Sequence, residues 1–414
     1  MKKNIKVVVA HPYKQHSFEL AEGLRRHGLL YKYITTVYYK KYNLTWFISH
    51  FLKGTSKMKA YSRYDKRIDT YVIQYCEGEG LIKLLTMKIP SLTKYYEKVK
   101  YYSSDRFSIR VANFCLKNNV DVVIVYDDTS PLCSEIIKEK NPNIKVIMDM
   151  SAPALPYLSE IYRKDMMISP DYAYKLNEEV KKALDPQKIE RSYREINSVD
   201  YFFAASEFTK KSLIECGIKE DSIKICRYGI DSIKFQPVRK ENQGLLHAIY
   251  IGGTKQFKGI SYLIDAFRNL SEYPVDLTVV GYNNLKEKDK LSNIKFTGVI
   301  MHDQVAEILK KCDFAIFPSL GDGFGFAVTE ALSSGCPVIC SKNAGASDLI
   351  KDYENGFIID AQDKDAIVEK VKYFIDNRNE LDKMKMIARQ SVSELTWEKY
   401  YDETSSFIKE IITN

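Results

Sequence analysis

The chain has 414 residues, 45% of them hydrophobic and 28% charged, the balance of a globular protein and not of a disordered or fibrous one. That length exceeds one ordinary core and predicts two domains of about 200 residues each, while no apolar run reaches the ~20 residues that a membrane-spanning helix needs. The net charge of +8 is unevenly placed, with 22 Lys and Arg against 8 Asp and Glu in residues 1–110.

Ile5 to Ala10 reads as a buried strand, too short for the apolar core of a signal peptide and without a small-residue cleavage site. A turn at His11 and Pro12 leads into a helix over Phe18 to His27, stopped by Gly28. His11 or His16, in that turn, can face a ligand cleft. From Gly23 to Tyr64 there is no acid, and basic residues alternate with aromatic ones, among them Tyr31, Tyr42, Trp46, Phe47 and Phe51. Such a mixture suits an anionic membrane surface, a nucleic acid or a solvated basic face. Ile34 to Tyr39 is expected to be a strand, and Thr45 to Ile89 follows no clear period. A helix is expected over Arg106 to Lys117 and a buried strand over Asp121 to Tyr126. Asp127 stands at that strand's carboxyl end, where it can face a ligand or cap the next helix. It is followed directly by Asp128, so the pair makes no metal-binding D-x-D.

Lys145 to Met150 is a further strand, and 151–195 reads as mainly helical and charged. Another strand follows over 199–204, then a helix from Glu207 with Ser206 as its cap. The eight cysteines are scattered singly, with no C-x-x-C and no His/Cys cluster. Reduced thiols in a cytoplasm are the expectation, and neither zinc nor another metal is expected.

A second βα series begins after a polar linker at 239–244. Ala248 to Ile251 is a strand, Gly252-Gly253-Thr254-Lys255-Gln256-Phe257-Lys258-Gly259 a glycine-rich loop, and Ile260 to Leu270 an amphipathic helix. Val275 to Gly281 and Ile294 to Gly298 are strands. Phe314 to Phe317 is a buried strand, followed by a breaker cluster and a helix over Phe324 to Ser333 that Gly335 and Pro337 stop. A strand, a glycine loop and a helix place this loop where ligands bind in open α/β sheets. The N–H groups at the helix start suit a phosphate. Asp322 lies before the helix and Glu330 within it, so two acids can hold different parts of one elongated ligand.

The run Asp322-Gly323-Phe324-Gly325-Phe326-Ala327-Val328-Thr329-Glu330, with Gly335-Cys336-Pro337-Val338-Ile339 and Asn355-Gly356 after it, closely resembles the signature region of the family 4 glycosyltransferases. The matches extend over roughly residues 199–360. Gly229, Asp231, Phe235 and Pro237 fit the family's hinge stretch, and Lys258 and Gly259 fit its G-R-x-x-x-x-K-G loop. Two departures stand out: Gly253 occupies the arginine position of that loop, with Lys255 nearby, and Asp322 replaces the usual Glu.

The resemblance implies the GT-B fold: α/β, two Rossmann-like domains facing across a cleft, with a C-terminal helix crossing back to the first domain. The first, acceptor-binding domain is expected over 1–238 together with the last helix at about 396–414. The second, donor-binding domain is expected over 239–395. Lys258, Asp322 and Glu330 take the catalytic positions. Gly252, Gly253, Thr254, Lys255, Val299, Gly323, Phe324, Gly325, Phe326, Ala327 and Val328 take the donor-binding ones, and Asp127 faces the sugar or acceptor. The implied activity is a retaining, metal-independent transfer from a nucleotide sugar to a glycan or lipid-linked acceptor in cell-surface polysaccharide biosynthesis. No cofactor and no nucleic-acid partner are expected, and the place is cytoplasmic, peripheral at the inner face of the membrane. The alternative is a non-catalytic nucleotide-sugar-binding protein of the same fold.

Overall fold

The structure is a computed structural model that describes residues 5–13, 16–168, 184–237, 244–283 and 291–413. The expected domain boundary at 238, most of the linker and part of the helical stretch 151–195 lie outside the described residues.

Two parallel sheets organise the chain. The first contains β1 (Val7–Ala10), β2 (Leu30–Thr35), β3 (Val72–Gln74), β4 (Val122–Tyr126), β5 (Lys145–Met150), β6 (Tyr201–Ala204) and β7 (Ile223–Ile225), in the order β3-β2-β1-β4-β5-β6-β7. The second contains β8 (Leu246–Ile251), β9 (Val275–Val280), β10 (Ile294–Gly298), β11 (Phe314–Phe317), β12 (Val338–Ser341) and β13 (Gly356–Ile359), in the order β10-β9-β8-β11-β12-β13. Their central strands are continuous runs of Val, Ile and Phe because helices cover both faces. Each sheet reverses its strand order beside its first strand, at the switch point where ligands enter such folds.

Among the described residues, the first domain's helices are α1 (Ser17–Arg26), α2 (Leu44–Ser49), α3 (Gly54–Tyr61), α4 (Glu77–Lys88), α5 (Tyr96–Lys117), α6 (Leu132–Lys140), α7 (Leu155–Ile168), α8 (Pro186–Asn197) and α9 (Glu207–Glu215). The second domain's are α10 (Ile260–Asn269), α11 (His302–Leu309), α12 (Phe326–Ser333), α13 (Lys364–Asp376) and α14 (Arg378–Ser391). The last helix, α15 (Trp397–Thr413), returns to the first domain and buries Tyr400, Tyr401 and Ile408 in the same core as Leu20, Ala21 and Leu24 of α1. Two glycines permit this crossing. A Cβ on Gly23 would lie 2.6 Å from the Tyr401 ring, and one on Gly229 would lie 2.3 Å from the Trp397 nitrogen.

Three sequence expectations shift in the first domain. The second strand is Leu30–Thr35, not 34–39, because Thr36 turns the chain by donating to Pro12 O at 2.5 Å and Tyr38 leaves the sheet to bond Asp65 O. The helix expected at 106–117 starts ten residues earlier, at Tyr96. The unassigned stretch after Thr45 folds as α2, α3, the short β3 and α4, so that α2 touches both α3 and α4. Among the described residues, no helix is long and apolar enough to cross a membrane.

Candidate active site

The carboxyl ends of both sheets face a cleft of about 460 Å³ between the domains. From the second domain, Gly252, Lys258, Asp322, Phe324, Gly325 and the first turn of α12 line it. From the first domain come His16, Ser151 and Tyr228. Gly325, at φ +79°, is the N-cap of α12, so the helix begins at Phe326 and not at Phe324. The Val328 N–H already donates to Gly325 O at 2.9 Å. The Phe326 and Ala327 N–H groups, which have no intrahelical acceptor, are therefore the ones able to meet an anion. Lys258 reaches over the same space and donates to Asp322 Oδ2 at 2.6 Å.

Gly323 does something the sequence did not suggest. It does not line the cleft; its bare Cα lies against the first domain. A Cβ there would sit 1.8 Å from Ser151 O and 2.8 Å from Ala152 Cα. Gly323 O in turn accepts from Ser206 Oγ at 2.6 Å and Thr209 Oγ1 at 3.2 Å at the start of α9. The donor loop is thus fastened to the opposite domain through its backbone. Gly323→Ala is expected to lower stability by about 3 kcal/mol, because the clash is with backbone that no rotamer change relieves. Urea denaturation of the two proteins measures this, and equal midpoints at equal slopes would refute the account.

The other expected donor residues fall outside the cleft wall. Gly253 and Thr254 form the floor of the β8–α10 loop, tied by Tyr250 Oη to Gly253 O and by the Thr254 N–H to Tyr282 O. Lys255 is exposed, with its ammonium over the Phe257 ring at 5.3 Å. Val299 is 76% exposed. Glu330 is buried one turn below the cleft, and its Oε1 lies 2.7 Å from Nε2 of His302 at the start of α11. The other ring nitrogen of His302 is 3.0 Å from Lys234 Nζ, so Glu330, His302 and Lys234 form a chain from the helix to the surface. Sequence reasoning missed His302 because this pairing joins residues 28 positions apart.

His11 is buried under the β1–α1 turn, where its Nδ1 accepts from the Tyr13 N–H at 2.8 Å, and it lines neither this cleft nor the cavity beside it. His16, and not His11, lines the cleft. Its ring packs at a tilt against Tyr228 at 4.0 Å between ring centroids, and its Nε2 lies 2.9 Å from buried Asp149. Asp149 also accepts from Tyr228 Oη at 3.2 Å, so one carboxylate orients two cleft-wall rings. Asp127 lies in the wall of the neighbouring cavity and accepts from the Ser151 N–H and Oγ, both at 3.2 Å. Burial and the Asp128 carboxylate push its pKa up to about 6. Among the described residues, no group of three or more His, Cys, Asp or Glu side chains is placed to hold a metal ion.

Two Rossmann-like domains closed over one cleft by a returning C-terminal helix define the GT-B class. The structural likeness agrees. Sucrose-phosphate synthase from Thermosynechococcus elongatus superposes with a TM-score of 0.69 over 99% of both chains at 13% identity. HepE from Anabaena, solved in complex with UDP, superposes with a TM-score of 0.62 over 98% of this chain and 100% of its own at 13% identity. Residues 231–391 match the family model for glycosyl transferases group 1. The chain is 27% identical over 234 residues to the capsular polysaccharide biosynthesis glycosyltransferase CapM of Staphylococcus aureus, a match covering 50% of this chain and 62% of that protein. The match to the glycosyl transferase model falls almost wholly in the second domain, and the chain spans 50–62% of the length of the first curated relatives it matches.

Proposed function

We propose that this protein is a retaining, metal-independent glycosyltransferase that moves a sugar from a nucleotide-sugar donor to a glycan or lipid-linked acceptor in polysaccharide biosynthesis. The observation that carries the reading is the meeting of Lys258 with the start of α12 in one interdomain cleft. A leaving nucleoside diphosphate builds up negative charge, and a preorganised ammonium and two helix-start amides stabilise it most where water is displaced. These groups supply the positive charge themselves, which is the argument for a metal-free mechanism. Asp322, released from Lys258 by the incoming diphosphate, is free to orient the donor sugar. Glu330, held by His302, is positioned for the ribose hydroxyls. The acceptor hydroxyl loses its proton to the departing phosphate oxygen as the new glycosidic bond forms on the same face.

The HepE complex makes uridine diphosphate the first ligand to test. A ligand that binds only the folded protein raises its melting temperature by mass action. UDP is expected to produce such a rise, unchanged by EDTA and lost in Glu330→Ala. Absence of a rise with any nucleoside diphosphate or nucleotide sugar would remove the transferase reading. Binding without turnover or hydrolysis of any nucleotide sugar would favour the non-catalytic alternative.

The acceptor side points to a membrane surface. Packing of α2 against α3 and α4 joins two stretches without acids, 23–64 and 80–96, into one face. That face exposes Phe47, Phe51 and Met58 beside Ile82, Leu85 and Met87, with Lys53, Lys59 and Lys88 among them. Apolar and basic side chains interleaved in this way fit the headgroup region of an anionic bilayer. The protein is expected to float with phosphatidylglycerol vesicles at low salt and not with phosphatidylcholine vesicles, and a Phe47→Ser/Phe51→Ser variant is expected to stay in the soluble fraction. Equal recovery on both lipids would count against the proposal.

A further inference from the structure

A second cavity, of about 370 Å³, opens in the first domain beside the donor cleft. It lies between the amino end of α5, the carboxyl ends of β4 and β5, the start of α7 and one face of α8. The segment Ser151–Pro153 separates the two spaces: Ser151 lines the cleft, while Ala152 and Pro153 line the cavity. Asp127 braces that divide through its two bonds to Ser151.

The lining is amphipathic and charge-balanced. Met148, Met150, Leu155, Leu158 and Ile196 give it an apolar wall. Three cations stand against three acids around it: Lys100, Lys188 and Arg191 against Asp127, Asp128 and Glu195. Each cation already has a carboxylate. Lys100 pairs with Asp128 at 2.5 Å, Lys188 with Glu97 at 3.2 Å and Arg191 with Asp105 at 2.5 Å. Among the described lining residues, no cation is therefore left over for an anionic ligand. Glu195 is the group without a full set of partners. It is 4% exposed, and among the described residues its bond is to the Asp128 N–H, which Oε2 accepts at 3.2 Å. Asp128 itself is held at φ +55°, a left-handed conformation that costs a non-glycine residue energy and that directs its N–H to Glu195. A buried carboxyl with an unused oxygen, facing a cavity of this size, is a hydrogen-bonding group in want of a ligand.

We propose that this cavity binds a neutral sugar unit of the acceptor, with its hydroxyls on Glu195 and Asp127 and its C–H face against the Met148, Met150 and Ile196 wall. A hexose has both the size and the two-sided character of the lining, whereas a phosphate would need one of the three neutralised cations released. The location explains the pairing of the two spaces. A glycan seated here passes its reacting end over the Ser151 rim into the donor cleft. The inference rests on the transferase reading for the word acceptor, but the binding itself is measurable without turnover.

Saturation-transfer NMR on the full chain tests it, with glucose, galactose and N-acetylglucosamine as neutral probes and glucose 6-phosphate as the charged one. At least one neutral sugar is expected to receive saturation at concentrations above a millimolar dissociation constant. That signal is expected to persist under saturating UDP and in Lys258→Ala. Its affinity is expected to fall about tenfold or more in Glu195→Ala and in Ser192→Trp, which fills the cavity from α8. The proposal is overturned by a signal that UDP abolishes, by a signal unchanged in both cavity variants, by binding of the phosphorylated sugar alone, or by no binding of any probe. The UDP melting shift is read on the same samples, so a failed donor site and a failed sugar cavity give different results.

Discussion

Lys258→Ala is expected to lower kcat by about 10²-fold, the usual cost of removing one preorganised donor to a developing anion, while changing donor KM much less. The reasoning turns on when the charge appears. In the ground state the diphosphate charge is shared with the sugar and solvent, and binding it costs Lys258 its 2.6 Å bond to Asp322. In the transition state the departing phosphate oxygen gains charge, and the ammonium gains most of its interaction there, which places its effect on kcat. Glu330→Ala should behave in the opposite way. It removes a contact to the nucleotide that is alike in ground and transition states, so KM rises and kcat holds. The pair separates the two roles: steady-state kinetics in which both variants raise KM alone would take Lys258 out of the chemistry. A converse test is available at Gly253. A Cβ there meets nothing nearer than 3.7 Å, so a side chain can start from this position without a clash, and Gly253→Arg is expected to raise kcat/KM.

The second domain was legible because its signals are local. Strands such as Phe314–Phe317 are continuous apolar runs, and the breaker residues that follow them mark loops at strand carboxyl ends, so loop, helix and acids fall in place from order alone. What stayed hidden depends on contacts distant in sequence. Nothing around His302 points to Glu330. Nothing in a G-x-G run distinguishes Gly325, which adopts a left-handed helix cap, from Gly323, which yields space to Ser151 of the other domain. The first domain was harder for a different reason. Helices α2 and α3 are short and turn aromatics outward, so the apolar period that identifies a core-facing helix is absent. Glu195 sits in α8, whose sequence PQKIERSYREIN reads as a solvated charged helix, and its burial comes from tertiary packing that the helix's own pattern does not show.

That burial gives Glu195→Gln a strong pH signature. Desolvation, with Asp128 beside it, pushes the Glu195 carboxyl from 4.5 up to about 8 in the folded protein. Its folded pKa is therefore raised above the unfolded one, and between the two values the folded state holds a proton that the unfolded state has released. Stability then falls as pH rises through that window, by about 1.4 kcal/mol per pH unit. Below the unfolded pKa both states are protonated and the group is neutral in its effect; above the folded pKa the full penalty of a buried charge is present. Glutamine keeps the shape and never ionises. The two proteins are expected to unfold alike at pH 4.5, and the variant to gain roughly 4 kcal/mol over the native chain by pH 8. Asp127, raised to about 6 by burial and Asp128, is present in both and cancels from the difference to first order. Urea midpoints across pH 4.5 to 8 measure the gap directly. A constant gap would mean that Glu195 reaches solvent and titrates as an ordinary carboxylate, and a neutral sugar that binds the protonated carboxyl would widen the window by holding the proton to higher pH.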